Sequence, residues 1–449
     1  MRKLFGTDGI RGVAGQYPLD RKTVYAIGLA LAHSLRKQMP TPRVLLGMDT
    51  RESGKEIAAW LTHGLREGGV PTTSAGVIPT PGVAYLARLR GFTAGIVISA
   101  SHNPWQDNGI KVFGGDGYKL PDAVELAIED EIFASLSQAH ETDFSSAGAP
   151  EEDLTLPAAY IEFLRKQVPE LRLDGKTIVV DCANGAASAI APVLLAHFGG
   201  DIVLTHASPN GRNINEHCGA LHPEIVAKEV LTRKADFGMT VDGDADRAMF
   251  ADEQGKVVNG DAVLLVAARD LQARNLLKAN LVVGTTMSNM GLEAALRTNE
   301  IKMLRAPVGD KYVLEEMQKN GAVLGGEQSG HMLFLDRATT GDGLLTGLMM
   351  LDILQRSGEP LSHLIQDLKV FPQVIVNVRV REKLPLETLP GVVAAIRDAA
   401  EALHGNGRVV VRYSGTEALA RVMIEAESAD AMQRHASRIA EAIRVELGV

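Results

Sequence analysis

Short apolar runs that do not alternate with polar residues recur along the first three quarters of the chain, each followed by a helical pattern. The runs fall at 44–48, 95–98, 177–180, 202–204, 237–241 and 281–283. A strand that is apolar at every position is buried on both faces, which is the habit of parallel sheets covered by helices. Helical spacing is expected over 55–66, 122–136, 186–197, 223–234, 260–274, 291–298 and 311–319, with a further strand over 301–306. The pattern restarts after the polar, turn-rich stretch 140–153 and again near Asn259. Three successive βαβα rounds follow, similar in pattern and not in letters.

The last eighty residues behave differently. Residues 374–380 alternate, as a strand with one wet face does. A helix over 389–403, strands over 408–412 and 420–424, and a C-terminal helix complete a βαββα order, which predicts a small α+β domain with an antiparallel sheet. The expected architecture is therefore α/β: three similar α/β domains with mixed sheets and a smaller C-terminal α+β domain. The boundaries are expected at 1–150, 151–255, 256–369 and 370–449, a division in keeping with 449 residues.

Composition removes several function classes. Net charge is −9, from 46 basic against 55 acidic residues, which gives no support for a general nucleic-acid or anionic-membrane binder. Two cysteines, Cys182 and Cys218, are too few for a disulfide scaffold or a thiolate zinc centre. Cys218 has His217 and His222 near it in sequence, but one sulfur without a paired cysteine is set aside as a metal site. The first residues carry no apolar signal region, and the most apolar helical stretch, 344–354, is short and holds Asp352. A soluble, cytoplasmic protein is expected.

The strongest chemical signal is Asp242-Gly243-Asp244-Ala245-Asp246-Arg247, directly after an apolar strand. Alternate residues of an extended chain lie roughly 6.7 Å apart, too far for shared ligation of one small cation. The loop must curl, and Gly243 is expected to ease the curl. Converging carboxylates repel one another unless a hard divalent ion joins them, and oxygen-only donors favour Mg²⁺ or Mn²⁺ over Zn²⁺. An EF-hand is excluded because Arg247 stands where its loop needs glycine.

Three further segments have chemistry. Ser99-Ala100-Ser101-His102-Asn103-Pro104 follows a buried-strand pattern, where open α/β sheets gather their ligands. Gly326-Glu327-Gln328-Ser329-Gly330-His331 offers groups suited to sugar hydroxyls. Arg412-Tyr413-Ser414-Gly415-Thr416-Glu417, with Arg421 close by, offers a guanidinium, hydroxyls and free N–H groups for a dianion. Each alone is also readable as an ordinary turn, the serine segment more readily so than as a site.

Together with the opening Gly6-Thr7-Asp8-Gly9-Ile10-Arg11-Gly12, these segments resemble, in order and over essentially the whole chain, the α-D-phosphohexomutase superfamily. The opening 3–12 and Ile214-Asn215-Glu216-His217-Cys218-Gly219-Ala220 resemble its bacterial amino-sugar branch. Val308-Gly309-Asp310 replaces the Thr-Gly-His common in glucose and mannose enzymes, so an acidic group could face an ammonium; Ala418 stands where the family usually has proline.

The resemblance implies four domains around one cleft and a phosphorylated serine at Ser101. It implies one Mg²⁺ held by Asp242, Asp244, Asp246 and the Ser101 phosphate. Arg11, His102, Lys111 and Arg247 would lie near the transferring phosphoryl group, with Lys111 and His102 both open as the base. Glu327 and Ser329 would hold sugar hydroxyls; Arg412, Ser414, Gly415, Thr416 and Arg421 would hold the distal phosphate. The implied reaction interconverts glucosamine 6-phosphate and glucosamine 1-phosphate, for UDP-N-acetylglucosamine synthesis, through a 1,6-bisphosphate. Glucose 1,6-bisphosphate or glucosamine 1,6-bisphosphate would prime it, and a homodimer is implied. The rivals are a glucose or mannose phosphate substrate, a phosphatase with Asp242 as nucleophile, and a non-catalytic sugar-phosphate sensor.

Overall fold

The computed structural model describes residues 4–6, 8–137, 144, 148, 150–403, 407–413 and 418–448. These divide into two compact units, Met1–Met287 with Met303–Ile365, and Ser288–Lys302 with Gln366–Val449. Ser414, Gly415 and Thr416 lie outside the described residues.

The first unit is built on three mixed sheets. In the first, parallel strands Ala94–Ile98, Val44–Met48 and Thr72–Val77 form the centre, and Asp107–Gly114 runs antiparallel beside Ala94–Ile98. All five residues of Ala94–Ile98 are buried, as the unalternating pattern requires. Each buried Ile or Val there contributes roughly 1.5–3 kcal/mol. Helix Arg21–Gln38, begun by the Asp20 carboxylate accepting from Thr23 N–H, packs on one side of that sheet's core. The strand Glu151–Glu152 extends the sheet next to Thr72–Val77.

The second sheet has parallel strands Phe237–Val241, Thr177–Asp181 and Asp201–Thr205, with Ala248–Ala251 antiparallel to the first of these. The third places Leu281–Thr285 parallel to Leu324–Gly326, which turns back into Met332–Phe334. One device thus recurs. In every sheet of this unit a parallel strand runs out at its carboxyl end and returns as an antiparallel neighbour. The turns between them, at 99–106, 242–247 and 327–331, are the serine, aspartate and Glu327 segments singled out by sequence.

The second unit has an antiparallel sheet ordered Gln373–Arg379, Leu419–Ala426, Gly407–Tyr413. Exposure alternates along Gln373–Arg379, and helices Pro390–Leu403 and Ala429–Leu447 share a core with the sheet through Val378, Val422, Val392 and Ile443. Helix Met290–Arg297 groups with this unit: Met290 N–H donates to Glu425 Oε1 at 2.7 Å, and the Asn289 side chain brackets Phe371.

No helix among the described residues is long and apolar enough to cross a membrane.

Candidate active site

The turn after Ala94–Ile98 puts Ser101 in a left-handed conformation, φ 53°, that costs a non-glycine residue of order 1 kcal/mol or more. Surrounding bonds hold it there. Ser101 N–H donates to Ser99 Oγ (2.9 Å), and Ser99 Oγ donates to Asp49 Oδ2 (2.5 Å). Asp49 is paired with the buried Arg51, which donates to the carbonyls of Ser101 (3.2 Å) and Asn103 (2.6 Å). Asn215 Nδ2 donates to the same two carbonyls, at 2.9 and 3.1 Å. The Ser101 hydroxyl donates to Asp242 Oδ2 and lies 3.2 Å from His102 Nδ1.

Asp242, Asp244 and Asp246 are all buried and bring ligand oxygens within 4.8 Å of one another. Gly243, expected to ease the curl of this loop, does not supply its left-handed turn. The left-handed residue of the loop is Ala245, φ 54°. Gly243 instead permits a close approach, since a Cβ there would come within 2.6 Å of the Ser101 carbonyl oxygen. Glycine lets the aspartate loop and the serine loop touch.

Lys111 lies in the strand Asp107–Gly114, with its Nζ 2.8 Å from Asp244 Oδ2, 2.9 Å from Asp8 Oδ2 and 3.4 Å from Asp246 Oδ2. Burial would lower its pKa, but Asp244, Asp8 and Asp246 hold it well above the usual lysine range. In this arrangement Lys111 is a fixed cation. His102 is the opposite case: burial, then Arg247 and Arg11, push its pKa down to about 4, so its ring is neutral near pH 7. Of the two candidate bases, His102 has a free pair for a proton.

The carboxylates themselves differ. Burial, then Asp246 and Asp244, raise Asp242 to about 8. For Asp246 burial acts in the same direction, but Lys111, His331 and Arg247 overcome it and hold the group well below its ordinary value. Asp244 Oδ1 is buried without a hydrogen-bond partner. A converging trio with an orphaned oxygen and a carboxyl driven toward protonation fits a hard divalent cation. These three residues could hold Mg²⁺.

A cavity of about 420 Å³ opens over this cluster, walled by Arg11, His102, Asp246, Arg247, Glu327 and His331 among others. Glu327 Oε1 accepts from Gly309 N–H at 2.9 Å. The Ala248 N–H donates to the Gly330 carbonyl at 3.0 Å, which ties the Glu327 turn to the residue after Arg247. Ser329 is exposed in that turn and is not in the cavity wall. Asp310 lines the wall, but its carboxylate is already engaged by Lys119 Nζ at 2.5 Å. A larger cavity of about 830 Å³ lies between helices Arg21–Gln38, Asp122–Ser137 and Asp310–Asn320; it holds neither the serine nor the aspartates. Size does not mark the site here.

Arg412 and Arg421 face each other in register across strands Gly407–Tyr413 and Leu419–Ala426 of the second unit. Reasoning from sequence missed Asp8, Lys119 and Thr80, whose Oγ1 donates to Asp244 Oδ2 at 2.5 Å. Asp8 was legible as the carboxylate of a Gly-rich segment; Thr80, at a helix start, had no signal.

The chain belongs to the phosphoglucomutase/phosphomannomutase family. Its α/β/α domain models I, II and III match residues 2–139, 158–255 and 259–371, and its C-terminal domain model matches 375–442. Among curated relatives, the phosphoglucosamine mutase of Koribacter versatilis is 58% identical over 100% of this chain and 98% of the relative. That of Solibacter usitatus is 52% identical, covering 100% and 99%. The crystal structure of a phosphoglucomutase/phosphomannomutase family protein from Burkholderia thailandensis superposes with TM-score 0.78 at 25% identity, covering 99% of this chain and 98% of that one. In fold alone the chain also matches Aspergillus fumigatus N-acetylphosphoglucosamine mutase in complex with GlcNAc-6P and magnesium, TM-score 0.63 at 18% identity, covering 99% and 96%.

Proposed function

We propose that the protein interconverts glucosamine 6-phosphate and glucosamine 1-phosphate through a phosphorylated Ser101. The observation that carries the chemistry is the Ser101 hydroxyl on Asp242, inside a converging aspartate trio beneath a polar cavity. The sugar is supported by full-length relatives at 58% and 52% identity that are phosphoglucosamine mutases.

In this reading the Ser101 Oγ–P bond breaks as a new P–O bond forms to the free hydroxyl of the bound sugar phosphate. The hydroxyl proton passes to His102, the neutral imidazole of the cluster, which hands the same proton to Ser101 Oγ as its bond to phosphorus breaks. The 1,6-bisphosphate so formed turns over and returns its other phosphoryl group to Ser101, which leaves the isomerised monophosphate. Lys111, Arg11 and Arg247 offset the charge of two phosphates, each near −2, as they approach. Bound Mg²⁺ on Asp242, Asp244 and Asp246 would neutralise charge on the transferring group. Glu327 binds sugar hydroxyls from the cavity wall. Ser329 and the second-unit residues Arg412, Ser414, Gly415, Thr416 and Arg421 complete the proposal as substrate ligands. So does the allotment of the serine, metal, sugar and phosphate loops to domains 1–150, 151–255, 256–369 and 370–449.

The test is turnover on glucosamine, glucose and mannose 6-phosphates, with Mg²⁺ and a glucose 1,6-bisphosphate primer, beside intact-mass analysis. Preference for the amino sugar and a phosphate on Ser101 that survives hydroxylamine are expected. A hydroxylamine-labile phosphate on Asp242 would replace this reading with an aspartyl-phosphate hydrolase.

A further inference from the structure

Among the described residues a second group of metal-ligating side chains converges, away from the aspartate trio: Asp181, His206 and Cys218, with ligand atoms all within 4.8 Å of one another. Their origin is topological. Asp181 ends strand Thr177–Asp181, and His206 follows Thr205, which lies in register with Asp181 on the parallel neighbour. Cys218 arrives on the loop before helix Pro223–Arg233, and Gly219, at φ 80°, turns its N–H onto Asp181 Oδ2 at 3.0 Å. Ala183 N–H donates to Asp181 Oδ1 at 2.8 Å, so the carboxylate is fixed yet keeps lone pairs to share.

The imidazole already faces the carboxylate: His206 Nδ1 is buried 3.2 Å from Asp181 Oδ1. Cys218 is fully buried as a free thiol. The His206 side chain as a whole is 32% exposed, which leaves a path from solvent.

We propose that Asp181, His206 and Cys218 form a second cation site, built for a borderline-soft divalent ion of the zinc class. One sulfur, one imidazole nitrogen and one carboxylate oxygen match that ion's preference, where three carboxylates match Mg²⁺. A thiolate and a carboxylate balance a double charge. Tetrahedral ligands of zinc lie roughly 3.4–3.7 Å apart, given bonds of about 2.0–2.3 Å. The imidazole nitrogen and the carboxylate oxygen, 3.2 Å apart, already stand near that spacing, and all three ligand atoms lie within 4.8 Å of one another. The site adjoins the serine loop: Asn215, three residues before Cys218, donates to the Ser101 carbonyl, and its own N–H donates to Ala183 O at 2.9 Å.

The test uses the full-length protein, stripped with chelator, saturated with Mg²⁺ and titrated with Co²⁺ as a spectroscopic probe. One equivalent should bind with a thiolate-to-cobalt charge-transfer band in the near ultraviolet and intense tetrahedral visible bands, and Zn²⁺ should displace it. Cys218→Ser should abolish the charge-transfer band, and His206→Gln should weaken binding roughly tenfold or more. Cys182→Ser should keep both. Should Cys218→Ser fail to fold, His206→Gln at the partly exposed position decides. No thiolate band at one equivalent, a band that persists in Cys218→Ser, or full affinity in His206→Gln would overturn the site and leave only a buried His–Asp contact.

Discussion

The second sheet carries two charged clusters at one end, and they differ in kind. Thr240, two residues before Asp242, is in register with Asp181 on the adjacent parallel strand. Topology therefore delivers both clusters to the carboxyl ends of neighbouring strands, where α/β sheets bind ligands. Donor chemistry separates them. The aspartate trio is all oxygen, is pressed by Lys111, and opens into a polar cavity. The Asp181 cluster mixes oxygen, nitrogen and sulfur and is met by no lysine or arginine ion pair among the described residues. Position alone does not make a phosphoryl-transfer site; it takes a nucleophile and fixed cations beside the carboxylates.

The largest break in that comparison is Ser101→Ala. Turnover should fall by about 10⁴-fold or more, with the thermal midpoint little changed, because only the proposed phosphate acceptor is removed. A coupled assay on glucosamine 6-phosphate reads this, and normal turnover would move the phosphate to another residue.

Asp244→Asn should lower kcat by about 10²–10³-fold and raise the Mg²⁺ concentration needed for half-maximal rate. KM for the sugar phosphate should move little. A change in KM alone would make Asp244 a substrate ligand.

Asn215→Ala probes the strap between the clusters. Loss of its bonds to the Ser101 and Asn103 carbonyls should relax the strained turn and reduce kcat about tenfold, with KM within twofold. Equal loss of kcat and of folding stability would reduce Asn215 to a structural role.

A separate effect, on stability and not on turnover, concerns a buried carboxylate with no lysine or arginine ion pair among the described residues. Asp342 caps helix Gly343–Ser357 and accepts from Tyr160 OH at 2.8 Å; burial raises its pKa from 3.8 to about 6. A folded-state pKa above the unfolded one means that proton binding favours the fold. That contribution is full below about pH 4 and is lost as pH rises to about 6. The stability difference between wild type and Asp342→Asn should therefore shift against wild type by on the order of 3 kcal/mol over that window, read by denaturant unfolding. A shift in wild type's favour would mean that the cap stabilises the anion.

Much of this was legible in the sequence. The unalternating runs at 95–98 and 237–241 became the fully buried strands Ala94–Ile98 and Phe237–Val241, and the alternating run near 374–380 became an edge strand with one wet face. The serine and aspartate segments emerged as the turns that follow such strands. Helix Arg21–Gln38 and strand Asp107–Gly114 went unread, the second because Lys111 interrupts an apolar stretch with a charge that only distant carboxylates explain.

The amino-acid order by itself determined the elements, the candidate nucleophile and the three aspartates, because periodicity, turn chemistry and carboxylate spacing are properties of neighbours along the chain. Tertiary structure alone decided that Lys111 meets Asp244 across 133 positions, that Gly243 serves contact and not curvature, and that Cys218 finds Asp181 and His206 in place of His217 and His222. Those meetings depend on strand order and register, which are set by the burial of whole sheets and by no local pattern.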